Sequence, residues 1–245
     1  MINPCIIIPI YNHQATIAHV LDQLAPFGLT CIVVDDGSDM ATRRVLEEQD
    51  KHHPWIQVLH LPRRSGKGEA VKVGLLRAHE MGYSHALLID ADGQHDVRDI
   101  PRFLAEAGSY PEALVLGNPT FGGDAPRSRR LGRRLSQFWV WVETLSLAIA
   151  DPLMGFRVYP VPPVVALIQQ QHLGSYMDFD PEVAVRLYWK GIPMRNIVTA
   201  VVYPKDGSSH FRLVRDNVRL SWLYVRLFFG MLYRAPGLLR RQRSR

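Results

Sequence analysis

The feature that most constrains the chain is a regular alternation in its first half. Runs that are apolar throughout, CIIIPI (5–10), TCIVVDD (30–36), WIQVLHL (55–61), HALLID (85–90) and EALVLGN (112–118), are separated by helix-like segments near 14–25, 40–52, 67–81 and 97–107. A strand with no polar face suits a sheet covered on both sides. Strand–helix alternation at this spacing predicts an α/β fold on a doubly wound, mostly parallel sheet. Such sheets bind ligands beyond the carboxyl ends of their strands. The unusual polar residues fall there: Tyr11 and Asn12 after the first run, Asp35 and Asp36 ending the second, Arg63 and Arg64 after the third, Asp90 and Asp92 after the fourth.

The stretch LLIDADGQHD (87–96) sets three aspartates, Asp90, Asp92 and Asp96, just past an apolar strand. Clustered carboxylates repel one another, and an unpaired buried one is costly. An EF-hand loop needs glycine at its sixth position and glutamate at its twelfth; counted from Asp90, glycine comes fourth and Pro101 twelfth. Two readings stay open. Asp90 and Asp92 cap a turn or the next helix, or they hold a divalent cation that also binds substrate phosphates, the arrangement Mg²⁺ prefers.

The turn RRSGKGEA (63–70) is not a Walker sequence, because Leu61 stands where the first glycine belongs and Gly68 follows Lys67 where Ser or Thr belongs. It reads either as a flexible turn opening a helix, or as a basic turn with Lys67 near a ligand phosphate or carboxylate.

Together these motifs carry a resemblance. PIYN (9–12), VVDDGSD (33–39), GKGEAVKVGL (66–75), DADGQHD (90–96), DPLMGFRVY (151–159), MDFDPEVAVRLYWKG (177–191) and YPKDGSSHFR (203–212) follow in order across most of residues 4–212. The chain resembles a family 2 glycosyltransferase of the GT-A fold, in the branch of polyprenyl-phosphate sugar synthases related to dolichyl-phosphate mannosyltransferase. The resemblance implies a nucleotide-sugar donor, UDP- or GDP-linked, and Mg²⁺ or Mn²⁺ as cofactor. It implies a base and ribose pocket at Pro9, Tyr11, Val34 and Asp36. Asp90, Ala91, Asp92 and Gln94 would form the metal and diphosphate site, with Asp90, Asp92 and Gln94 as metal ligands. Arg157 would be an active-site arginine. Lys205 and His210 fall where those enzymes place an arginine and a lysine over phosphates. His13 and Pro119 stand where the family often has an acidic residue and an arginine.

Members of this family invert the anomeric carbon by direct displacement. A cation, Lys67 and Lys205 would stabilise charge developing on the nucleoside diphosphate as it leaves. A hydroxyl acceptor needs a general base, whereas an ionised phosphate does not. Asp178 and Asp180 are the candidate bases; equally, one of them caps a helix starting near Pro181.

Charge bears on the acceptor. Lys plus Arg number 29 against 23 Asp plus Glu. The tail from Arg212 to Arg245 holds nine arginines against Asp216 alone, and residues 126–150 put five arginines before an apolar run with Trp139 and Trp141. Residues 1–211 are therefore expected as the catalytic domain, with a donor half (1–118) and an acceptor half (119–211). Residues 212–245 read as a basic amphipathic helical segment. That segment either packs on its own domain or lies among anionic headgroups; the resemblance, with its lipid or polyprenyl-phosphate acceptor, favours the second. No apolar stretch reaches the roughly 18 residues of a membrane span, and MINPCIIIPIYN lacks a signal peptide's basic region. Cys5 and Cys31 read as buried hydrophobes of a reducing compartment. The expectation is a cytoplasmic protein, peripheral on the inner face of the membrane. A nucleic-acid binder fits poorly, because the carboxylate edge would repel phosphate without a metal. A nucleotidyltransferase lacks its glycine-rich loop around PIYNHQ.

Overall fold

The computed structural model describes residues 1–121, 127–201 and 213–243. Its centre is a seven-stranded sheet in the order β3-β2-β1-β4-β6-β5-β7. The strands are β1 (Pro4–Ile10), β2 (Cys31–Asp35), β3 (Ile56–His60), β4 (His85–Leu88), β5 (Leu114–Phe121), β6 (Arg157–Pro160) and β7 (Met194–Val201). The first four pair in parallel, as the unbroken apolar runs predict. β6 then runs antiparallel between β4 and β5, and β7 extends the sheet parallel to β5. Neither β6 nor β7 belongs to the alternation read from the sequence. β6 is four residues long, and β7 alternates buried with exposed positions.

Successive strand residues point to opposite faces, and two hydrophobic layers result. Ile6, Ile8, Ile10, Val33 and Leu87 face α1 (Gln14–Leu24), α2 (Met40–His52) and α4 (Ile100–Ser109). Cys5, Ile7, Ile32, Val34 and Leu88 face α3 (Lys67–Glu80), α6 (Val161–Gln170) and α7 (Phe179–Trp189). Cys5 and Cys31 lie in different layers, both buried and unpaired. The second layer is thickened by α5 (Arg127–Thr144) and α8 (Leu213–Arg243). The boundary near residue 211 divides composition rather than core, because Leu220, Leu223, Leu227, Met231 and Leu238 of α8 join the same buried cluster.

Within this layer Glu143 is fully buried, and neither carboxylate oxygen has a hydrogen-bond partner among the described residues. Its backbone carbonyl accepts the Trp189 indole N–H at 2.8 Å. Burial pushes the Glu143 carboxyl up to about 9. A folded-state value above the ordinary one means that the group's contribution to stability is complete below about pH 4.5 and is lost as pH rises toward 9. Each unit of pH in that window removes about 1.4 kcal/mol. Glu143→Gln, isosteric and uncharged, should therefore leave thermal stability unchanged near pH 4.5 and raise it progressively toward pH 8. Melting curves of both proteins across that range test this.

Candidate active site

The carboxyl ends of the strands bring the motifs together. The backbone does the first part of the work. Asn12, at φ +53°, donates its N–H to the Ser38 hydroxyl oxygen at 3.0 Å, and its Oδ1 accepts the Asp39 N–H at 2.9 Å. The loops after β1 and β2 are thereby joined. Asp36 accepts the N–H groups of Ser65 (2.5 Å) and Gly66 (2.8 Å), tying the basic turn to β2. Burial nonetheless pushes its carboxyl above the usual range. Gly66 has φ +109°, a conformation that L side chains rarely adopt. The Thr16 hydroxyl of α1 donates to the Ala91 carbonyl at 2.7 Å, pinning the Asp90–Asp92 loop.

At the centre stands Lys67. Its ammonium lies 2.6 Å from Asp90 Oδ1 and 3.6 Å from Asp180 Oδ2. Burial disfavours its charge, but the two carboxylates outweigh it and raise the ammonium's pKa. Against burial, Lys67 and His95 hold the Asp90 carboxyl at about 2. The basic turn thus meets a carboxylate.

Asp180 is gripped from behind. Its carboxylate accepts the Tyr159 hydroxyl at 3.1 Å and lies 3.7 Å from the Arg157 guanidinium, which also donates to the Asp180 carbonyl at 3.1 Å. Arg157 also donates to the carbonyls of Pro152 and Met154 and is fully buried. Its guanidinium thus faces Asp180 and these carbonyls from within the core. Helix α7 starts at Phe179, two residues before the position expected from Pro181. Asp178 occupies its N-cap position without capping it and accepts the Tyr176 N–H at 3.0 Å. Of the two candidate bases, Asp178 makes no side-chain cap bond and Asp180 lies inside the first turn, where it is the one that reaches the lysine.

Asp92 is half-buried. Burial first, then the neighbouring Asp90, raises its carboxyl, and its Oδ1 accepts the Gln94 N–H at 3.0 Å. Asp92 and Asp90 stand side by side at the strand ends, with His95 and Lys67 only partly offsetting the pair, and a divalent cation would fit beside them. Among the described residues no group of three His, Cys, Asp or Glu side chains gathers to hold one. An ion here would take Asp92 and Asp90 from the protein and complete its shell from ligand oxygens.

The remaining expected positions spread along the same edge. Tyr11 lies under the Arg64 guanidinium, 4.1 Å from the ring centroid. Pro9 is buried in β1. Val34 is fully buried in the layer that α3 covers, between β1 and β3 in the sheet. His13, half-buried, has its imidazole pKa lowered by burial. Pro119 sits in β5, paired with Thr199. Lys205 and His210 lie outside the described residues.

Three residues escape the sequence reading. His95 is buried, stacks on Phe156 at 5.1 Å, and places Nε2 3.5 Å from Asp90 Oδ2. Tyr159 sits on the unread strand β6. Gly155 packs so closely that a Cβ there would overlap Asp90 Oδ2 and stand 3.0 Å from Lys67 Nζ. The histidine's nearness to the aspartates was a usable signal; the other two depend on where β6 lands.

Comparisons with known proteins bear on the family and the fold. The model for "Glycosyl transferase family 2" matches residues 5–161. A dolichyl-phosphate beta-glucosyltransferase of Dictyostelium discoideum is 25% identical over 248 residues, covering 90% of this chain and 74% of that one. The glycosyltransferase AglJ of Haloferax volcanii is 31% identical over 223 residues, covering 87% and 68%. Among solved structures, glucosyl-3-phosphoglycerate synthase of Mycobacterium tuberculosis, in complex with Mn²⁺ and UDP-glucose, superposes with a TM-score of 0.67 at 17% identity, covering 94% of this chain and 79% of that one. That likeness establishes the GT-A-type fold.

Gly155→Ala should push Lys67 off Asp90. Overpacking of this kind costs about 1–3 kcal/mol, so melting temperature should fall, and transfer activity should fall with it. Gly108→Ala, with no neighbour within 4 Å, should leave both intact. Paired melting and activity measurements test this.

Proposed function

The chain belongs to glycosyl transferase family 2, and on that premise we propose that it transfers a sugar, with inversion, from a UDP- or GDP-linked donor to a lipid phosphate at a membrane surface or to the hydroxyl of a lipid or other small acceptor. The observation that carries the donor half is the Lys67 ammonium set between Asp90 and Asp180, with Asp92 beside them at the strand ends. Lys67 would meet the diphosphate as its charge develops. A divalent cation on Asp92 and Asp90 would supply Lewis-acid neutralisation of the same group. Arg157 and Tyr159 keep Asp180, and through it Lys67, in place. Tyr11, Asp36 and Arg64 lie where the nucleoside would rest.

The acceptor has two readings, each with its own support. A lipid phosphate needs no base, and the Dictyostelium relative is described as acting on dolichyl phosphate. The outward surface of the helical layer fits it. Val218, Trp222, Val225, Phe229 and Leu232 of α8 recur every three or four residues and are exposed, as are Leu131, Leu135 and Phe138 of α5. Arginines flank both sets. Among the described residues no helix is long and apolar enough to cross a membrane, so this surface would lie in the headgroup layer. A hydroxyl acceptor is supported by the GT-A neighbour, described as a glucosyl-3-phosphoglycerate synthase. That reading needs a base. Asp180, held by two cations and a phenol, is a poor one, which leaves Asp178.

Three measurements test the proposal. Asp92→Asn should abolish Mn²⁺-dependent binding of the nucleotide-sugar with the fold intact; equal affinity in mutant and parent removes Asp92 from the donor site. Trp222→Ser with Phe229→Ser, both on the exposed surface, should weaken co-sedimentation with anionic vesicles, and the parent's binding should fall steeply with salt. Transfer to polyprenyl phosphate that survives Asp178→Asn identifies a phosphate nucleophile. Transfer to a hydroxyl acceptor that drops ~10²–10⁴-fold in the same variant identifies a base.

A further inference from the structure

The basic helix α8 does more than cover the core. Its Arg219 guanidinium lies 3.6 Å from the Tyr176 ring centroid and 3.8 Å from Asp216. Tyr176 in turn touches the basic turn: a Cβ on Gly66 would stand 2.6 Å from Tyr176 Cδ1. The neighbouring Gly68 leaves equally little room, since a Cβ there would stand 2.9 Å from the Tyr176 carbonyl oxygen and 2.5 Å from Phe179 Cβ. Lys67 lies between these two glycines. The segment bearing Tyr176 therefore forms the wall against which the turn carrying Lys67 is set.

That wall is fixed to its neighbours by polar contacts. The Ser175 carbonyl accepts the Glu69 N–H at 3.1 Å, and its hydroxyl donates to Glu69 Oε2 at 3.0 Å. The Lys72 ammonium reaches the Leu173 carbonyl at 3.4 Å. On the other side, Gly174 N–H donates to Glu182 Oε2 at 2.8 Å, and Glu182 lies 3.6 Å from the Arg226 guanidinium of α8. Two arginines of one helix thus bear on a single segment, one through an aromatic face and one through a buried carboxylate.

The geometry points to Arg219 as a positioning residue of the donor site: through Tyr176 it holds the turn at Gly66 so that Lys67 stands at Asp90. This rests on the donor site proposed above. It adds that a residue of the basic C-terminal helix, remote in sequence from every donor motif, sets donor affinity. A cation over an aromatic ring is a directional contact. Its loss would free Tyr176 to turn away and leave the glycine turn without its wall.

The test is titration of the full chain with UDP or GDP in the presence of Mn²⁺, without acceptor. Arg219→Met should weaken the nucleotide affinity about threefold to tenfold, the range such a contact supplies when partly desolvated. Arg219→Lys, which keeps a cation over the ring, should restore part of the loss. Tyr176→Leu should weaken affinity comparably, and the double variant should be no worse than either single one, the non-additivity expected of one shared contact. Melting temperatures recorded alongside identify any variant that fails to fold. Unchanged affinity in a folded Arg219→Met protein, or fully additive losses, overturns the inference. A parent chain that binds neither nucleotide instead overturns the donor site on which it rests.

Discussion

The Lys67 ammonium, shared between Asp90 and Asp180, is the contact on which the rest of the site depends. It joins three separately folded pieces: the first residue of α3, the end of β4 and the first turn of α7. Taken singly, each would be expensive to leave half-buried. Together they compensate one another, and what lies around them is arranged to keep them in reach. Arg157 and Tyr159 fix Asp180 from the core side, Asp36 fixes the turn before Lys67, and Thr16 fixes the loop after Asp90. Gly155 supplies closeness by having no side chain.

Much of the donor half was legible because its local signals and its tertiary role coincide. The runs at 5–10, 30–36, 55–61 and 85–90 are apolar on both faces since helices cover both faces, and the helices between them begin and end within a few residues of their expected bounds. The acceptor half was harder for a physical reason. β6 has four residues and is placed by an antiparallel return between two strands, which no local pattern encodes. Tyr159 and Gly155 became site residues only through that placement. Asp178 and Asp180 illustrate the same limit. Capping preference ranks them by distance from a proline, whereas the structure ranks them by which one faces a buried arginine.

The helical layer shows how composition can mislead. A stretch with nine arginines and one acid reads as an appendage. In the structure α8 buries Leu220, Leu223, Leu227 and Met231 against α5 and α7 while exposing a second apolar row. Two apolar faces on one helix, with arginines between them, are legible only after one face has been assigned to the core. Glu143, whose buried carboxylate has no hydrogen-bond partner among the described residues, carries no local mark either.

The turn before α3 has a further consequence. In a nucleotide-binding loop, the amides at the start of a helix are left open for a phosphate. Here the Asp36 carboxylate takes the amides of Ser65 and Gly66. An anion of the protein's own stands at that helix start permanently. This turn is therefore inverted relative to such a loop: the amides of Ser65 and Gly66 are already taken by a carboxylate of the chain. A diphosphate approaching this turn would find those two amides taken, and side-chain cations or a bound divalent ion would have to offset its charge.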